Sequence, residues 1–185
     1  MKTILSTRKL SLSQRELLLN AGVALVEYNA ITIENISFEI PLKIQNAIFT
    51  SQNGIKAFLE NNVRSSAVEN CFCVGEKTKL LLKKSGFNVI KMTEYASELA
   101  DYIVKNHKDD SFHFFCGNIR SDEIPSKFEE NDIVFEEVEV YKTTLIPKKF
   151  ERQFAAVLFF SPSGVRSFFT ENGNIGMAIC IGKTT

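Results

Sequence analysis

The chain has 185 residues, with 22 Lys and Arg balanced by 22 Asp and Glu, so its formal net charge is zero. That balance excludes the overall basic footprint of a general nucleic-acid binder, and the length allows one large domain or two small ones. Apolar residues make up 44% of the chain, with 16 Phe and no Trp, so the core must rest on phenylalanine.

In chain order, strand-like and helix-like segments alternate. "KTILS" reads as a strand and "SQRELLLNAG" as a helix closed by Gly22; "VALVEYN" and "AIFT" are strands. "NGIKAFLENN" has helical spacing at Ile55, Phe58 and Leu59. "CFCV" is a strand, "EKTKLLLKKSG" a helix stopped at Gly86, and "FNVIK" a strand. "EYASELADYIVKNH" predicts a helix with Tyr95, Leu99, Tyr102 and Ile103 on one face. "FHFFC" is a strand and "IPSKFEEN" a short helix. "AAVLFF" precedes the helical spacing of "GVRSFF", and "MAICI" is the last strand. Helices are assigned on apolar spacing and glycine stops, strands on short apolar runs between turn residues. Alternating β and α with uninterrupted apolar strands predicts an α/β fold with parallel sheets covered on both faces.

Two segments depart from this pattern. "ITIENISFEI" (31–40) and "DIVFEEVEVYKTTLI" (132–146) alternate apolar with charged residues, as half-exposed antiparallel strands do. Paired, they form a two-stranded ribbon, about 33–40 and 136–143, between two lobes. The inner lobe is then 36–142, and the outer lobe joins 1–35 to 143–185. An internal echo agrees with two lobes on one plan. "FTSQNGIKAF" is followed by "CVGEKTKLLL", and "FFSPSGVRSFF" by "CIGKTT", with Ser51 to Gly75 spanning 24 residues and Ser161 to Gly182 spanning 21.

No apolar run has the length of a membrane span, and "MKTILSTRKLSLSQ" is too short in its apolar part for a signal peptide. A cytoplasmic protein without a membrane partner is expected. Cys71, Cys73, Cys116 and Cys180 all lie in or beside strand segments and read as small buried hydrophobes, with Cys71 and Cys73 on one side of their strand. With only His107 and His113 to add, no metal-ligand spacing is present.

In open parallel sheets, ligands bind beyond the carboxyl ends of the strands, where turns expose helix N-termini rich in unpaired N–H groups. Ser51, Asn53, Gly75, Thr78, Ser161, Ser163, Gly182, Thr184 and Thr185 stand at such turns, as do Thr7 with Arg8 and Gly117 with Asn118. Each hydroxyl either caps its helix or contacts a ligand; a repeated set on two lobes points to a polyanion. "IGKTT" is not a phosphate-binding P-loop, because Met177 stands where that motif needs its first glycine. No Gly-x-Ser-x-Gly elbow and no Gly-x-Gly-x-x-Gly turn after the first strand are present. The expected site is therefore a metal-free, cofactor-free cleft of backbone donors and hydroxyls, with one phenol, Tyr141.

Taken together, "FTSQNGIKAF", "VGEKTKLLLKKSGFNV", "EEVEVYKT", "LFFSPSGVRSFF" and "AICIGKTT" resemble uroporphyrinogen-III synthase in order and spacing over nearly the whole chain. The resemblance implies two α/β lobes, each with a parallel sheet flanked by helices, joined by a two-stranded antiparallel ribbon. It implies a lyase of heme biosynthesis, monomeric and without cofactor. Such an enzyme closes hydroxymethylbilane, a linear tetrapyrrole with eight carboxylates, while inverting its last ring and losing water. By resemblance, Tyr141 matches the family's ribbon tyrosine, assisting departure of the hydroxyl or serving as a packing residue. Thr184 and Thr185 match a Gly-x-Thr-Thr turn, Ser161 and Ser163 a Ser-Pro-Ser-Gly turn, and Ser51 and Thr78 the inner-lobe turns. Lys183 stands where the family often has proline. Relative to the family, the sequence stops inside a binding turn, which predicts exposed apolar surface near Ile179 and Ile181. The alternative is a two-lobe binding or sensor protein for a small polyanionic ligand.

Overall fold

The computed structural model describes residues 2–61, 65–183 and 185. The chain divides into two compact units, Ile33–Lys142 and a discontinuous one of Met1–Thr32 with Thr143–Thr185.

The discontinuous unit begins with β1 (Thr3–Ser6), α1 (Leu12–Asn20) and β2 (Ala24–Glu27). Ser11 starts α1 with a reciprocal capping box, accepting from the Gln14 N–H while the Gln14 side chain accepts from the Ser11 N–H. Gly22, at φ +69°, ends the helix in a conformation that side-chain-bearing residues rarely adopt. The chain then enters β3 (Ile31–Asn35) and, in the second unit, β4 (Ile44–Phe49), α2 (Gln52–Glu60), β5 (Val68–Val74), α3 (Glu76–Lys84) and β6 (Val89–Thr93). These are followed by α4 (Ala96–Asn106), β7 (Ser111–Gly117), α5 (Glu123–Glu130) and β8 (Val134–Leu145). Back in the first unit come β9 (Ala156–Phe159), α6 (Pro162–Glu171) and β10 (Ala178–Cys180).

The larger sheet has the order β3-β8-β7-β4-β5-β6, with β8 through β6 parallel. Successive side chains on its strands feed different cores. Ala47, Phe49, Cys71, Cys73 and Phe115 pack on one face with Ile55 and Phe58 of α2 and Leu82 of α3. Ile48, Phe72, Phe112, Phe114 and Cys116 pack on the other with Leu99, Ala100 and Ile103 of α4 and Ile124 and Phe128 of α5. Period-two alternation between two helix-covered faces explains why the strands read as continuous apolar runs. The first core is built on packed aromatic rings: Phe58 meets Phe115 at 4.7 Å and Phe49 at 5.5 Å between centroids, edge to face.

The smaller sheet, β10-β9-β1-β2, is wholly parallel. Leu5, Val157 and Phe159 form one core face with Phe168 of α6. The opposite face differs from the expectation of full cover. No residue of α1 is buried, and Leu17 is 72% exposed. Ile179 and Ile181 are 45% and 57% exposed, as anticipated for this strand.

Further differences are confined to single elements. The alternating segment 132–146 is not simply an antiparallel strand: β8 runs parallel to β7 on one side and carries β3 on the other. Val138 and Val140 of β8 pack into the core, while Glu136, Glu137 and Glu139 are exposed. The pairing with β3 is antiparallel, since Ile36 N–H donates to the Val140 carbonyl and Ile146 N–H to that of Ala30. β3 ends at Asn35, so residues 36–40 of the expected ribbon are not strand. On α4 the buried face is Leu99, Ala100 and Ile103, while Tyr95 is the cap residue preceding the helix. Cys71, Cys73 and Cys116 are buried as expected, but Cys180 is exposed, as are the other residues of β10. No helix among the described residues is long and apolar enough to cross a membrane, and no group of side chains among them is placed to hold a metal ion.

Candidate functional site

In each unit the described ones among the expected site residues lie at the carboxyl ends of the parallel strands, and the internal echo corresponds to repeated geometry. β2-β1-β9-β10 and β8-β7-β4-β5 are both four-stranded parallel arrangements in which a central strand ends in a capping serine. After β4, Ser51 adopts an extended conformation and its Oγ accepts from the Asn53 N–H at 3.2 Å. After β9, Ser161 does the same for the Gly164 N–H at 3.1 Å. Three residues beyond each serine stands a glycine in close quarters. A Cβ on Gly54 would lie 3.2 Å from the Phe115 carbonyl oxygen of β7. On Gly164 it would lie 3.3 Å from Ser161 Oγ and 3.6 Å from Thr7 Oγ1, just past β1. Small residues at these points bring the first turn of a helix close to the neighbouring strand end.

Within the larger unit, Ser51, Gly117 and Tyr141 come together. β7 and β8 pair with Cys116 opposite Glu139 and Gly117 opposite Tyr141, a register shift that gives β8 one extra residue. Val138 is buried before the bulge, Val140 is the extra residue and is itself buried, and Tyr141 and Thr143 are buried after it. A bulge of this kind re-aims the side chains that follow. Here it turns Tyr141, which strict alternation would expose, into the site. The ring lies on Gly117, where a Cβ would meet its Cε2 at 2.4 Å. The hydroxyls of Tyr141 and Ser51 are hydrogen-bonded. Burial raises the Tyr141 phenol above its ordinary pKa, the bond to Ser51 pulls the other way, and Cys116 adds to the rise. The phenol is therefore protonated at neutral pH and available as a donor. It faces a cavity of about 190 Å³ whose lining includes Thr50, Ser51, Gly117, Arg120, Ser121 and Tyr141.

Other expected residues are placed nearby but engaged within the fold. Asn118 is exposed, and its N–H donates to the Tyr141 carbonyl at 3.4 Å. Gly75 has φ +86°, which favours glycine at this helix start, and its N–H donates to the Thr93 carbonyl at 2.8 Å. Thr78 is buried behind it. Asn53 is half-buried in the first turn of α2.

In the discontinuous unit, Thr7 is buried and its hydroxyl donates to the Leu158 carbonyl at 2.8 Å. Arg8 is exposed with its guanidinium 4.1 Å from the centre of the Phe160 ring, a cation–π contact. Ser163 is half-buried in the first turn of α6, Gly182 is exposed beyond β10, and the Thr185 N–H donates to the Gly182 carbonyl at 3.2 Å. Thr184 lies outside the described residues.

Arg120 and its carboxylate partners were not anticipated from sequence. The side chain extends from the loop between β7 and α5, with Nη2 donating to Glu137 Oε1 at 2.7 Å and Nε donating to Glu137 Oε2. Nη1 donates to Asp122. The only sequence signal was an arginine three residues past Gly117, beside the Gly117-Asn118 turn already singled out.

A family model described as uroporphyrinogen-III synthase HemD matches residues 13–185. No curated protein matches the sequence. Among solved structures, the chain is similar to uroporphyrinogen-III synthetase from Helicobacter pylori, at TM-score 0.68 and 18% identity, covering 100% of this chain and 86% of the other. It is similar to a mutant uroporphyrinogen III synthase from the extremely thermophilic bacterium Thermus thermophilus, at TM-score 0.70 and 11% identity, with coverage of 100% and 86%. The wild-type Thermus thermophilus enzyme in another crystal form matches at TM-score 0.57 and 11% identity over the same shares.

Proposed function

The chain belongs to the uroporphyrinogen-III synthase family, and on that premise we propose that it closes hydroxymethylbilane to the type III macrocycle, with Tyr141 as the proton donor. The substrate is a small linear tetrapyrrole with eight carboxylates, and the pathway is heme biosynthesis. A monomeric, cytoplasmic enzyme without a cofactor completes the proposal. The family match does not favour a binding-only role.

The reaction needs little covalent chemistry from the protein. The lone pair of the first pyrrole nitrogen expels the terminal hydroxyl, which takes the Tyr141 proton and leaves as water. The resulting azafulvenium is attacked by the substituted carbon of the last pyrrole, giving a spiro intermediate. The bond between that carbon and its original methylene bridge breaks, and closure then occurs at the other α-carbon. The proton lost there returns to the Tyr141 phenolate, so the net change is loss of one water. Closure without guidance gives the uninverted isomer, so the enzyme's main task is conformational, holding the bilane with the last ring turned. Helix N-termini and strand-end hydroxyls of the kind seen at Ser51 and Ser161 suit an octa-acid.

The observation that carries this reading is the buried, protonated Tyr141 phenol bonded to Ser51 beside a cavity at the strand ends. A proton donor of this kind contributes on the order of 10²–10⁴ in rate. Incubation with enzymatically generated hydroxymethylbilane, followed by separation of the isomers, tests it. Type III product is expected, and binding without any change in isomer ratio would remove the catalytic assignment.

A further inference from the structure

Resting on the synthase reading, we propose that Arg120 receives a substrate carboxylate of the pyrrole presented to Tyr141, with Glu137 orienting the guanidinium and Asp122 occupying the carboxylate's place until substrate arrives. Arg120 and Tyr141 line the same cavity, and Arg120 is the one charged side chain among the described residues lining it. An eight-carboxylate substrate entering that cavity brings negative charge to this guanidinium.

The two partners of Arg120 are not equivalent. Glu137 takes the Nε and Nη2 edge in a two-point contact, which fixes both the plane and the direction of the group. It is part of β8, four residues before Tyr141, so the arginine and the phenol are set by one strand. Asp122 holds only Nη1, and its side chain is 82% exposed. Asp122 also precedes α5 at the capping position, where aspartate ordinarily accepts from the helix N–H groups, yet it makes no such side-chain bond. Its carboxylate is directed at Arg120 instead. An exposed carboxylate on a single guanidinium nitrogen is readily exchanged for another, whereas the two-point contact to Glu137 is retained.

Glu137 is thus a positioning residue and Asp122 a resident competitor, which gives opposite kinetic signs to neighbouring substitutions. KM for hydroxymethylbilane and the Kd for the stable octacarboxylate uroporphyrin III are measured for wild type, Arg120→Ala, Arg120→Lys and Asp122→Asn, with unfolding midpoints as folding controls. Arg120→Ala is expected to raise KM and Kd about tenfold or more. Arg120→Lys restores part of the loss by keeping the charge without the fork. Asp122→Asn lowers both KM and Kd about threefold by removing the competing charge. Type III turnover by wild type, with KM unmoved in Arg120→Ala and not lowered in Asp122→Asn, overturns the assignment while leaving the synthase reading intact. Uroporphyrin binding that follows the predicted order without type III product supports the carboxylate receptor and removes the reaction. Neither binding nor turnover by wild type overturns both.

Discussion

A Cβ on Gly117 would lie 2.4 Å from Cε2 and 2.5 Å from Cζ of Tyr141, so the missing side chain of one strand is the seat of the ring on the next. The two residues are paired across β7 and β8 directly after a bulge. Glycine is therefore required here by close approach. Gly117→Ala is expected to push the ring off its seat, costing on the order of 1–3 kcal/mol by overpacking and lowering kcat at least about tenfold. Thermal unfolding and turnover, measured together, check both effects.

Tyr141→Phe removes the donor while keeping the packing. The expected outcome is a fall in kcat of about 10²–10⁴ with an unfolding midpoint close to wild type. Because burial holds the phenol above its ordinary pKa, any loss of the wild-type rate from Tyr141 ionisation should set in at higher pH than for an unperturbed tyrosine. A kcat profile checks this. Unchanged turnover in the phenylalanine variant would leave the ring a packing residue.

The buried acids make the fold alkali-sensitive. Burial raises Tyr28 to about 12. It likewise pushes Cys71 to about 12 and Cys73 and Cys116 to about 11. The unfolded chain releases these protons at lower pH than the folded one, near 9 for the thiols and 10 for the phenol, so their stabilising contribution is complete below those values. It declines as pH rises through about 9 to 12. Denaturant midpoints across that range should fall, and Tyr28→Phe should flatten the upper part of the fall.

Thiol chemistry separates the cysteines. Cys180 is exposed while Cys71, Cys73 and Cys116 are buried, with raised pKa values. Nucleophilic reactivity follows exposure and thiolate content. One thiol per native chain should react rapidly with a disulfide reagent at about pH 8, and Cys180→Ser should abolish that fast phase, with the other three appearing only on denaturation.

Much of the fold was legible because buried parallel strands leave a plain record. "AIFT", "CFCV" and "FHFFC" lie where β4, β5 and β7 feed two cores, and Gly22 and Gly86 end helices at positive φ. The paired serines were legible as helix starts and do cap α2 and α6. What escaped depends on contacts distant in sequence. The bulge between β7 and β8 leaves no mark within "EVEVY", since it exists only in the pairing. Arg120 gains its meaning from Glu137, 17 residues away. Cys180 is exposed with the rest of β10, and exposure depends on packing that a strand's own residues do not record. Single-strand alternation likewise read β8 as antiparallel, when its two edges have partners of opposite sense.

The central claim is that the chain directs ring closure rather than merely binding its substrate. The direct measurement is the ratio of type III to type I uroporphyrinogen formed from hydroxymethylbilane, with and without the protein. Predominant type III product that collapses toward type I in Tyr141→Phe is the predicted result. A ratio identical to the protein-free reaction, from a folded protein that binds the octa-acid, would contradict it.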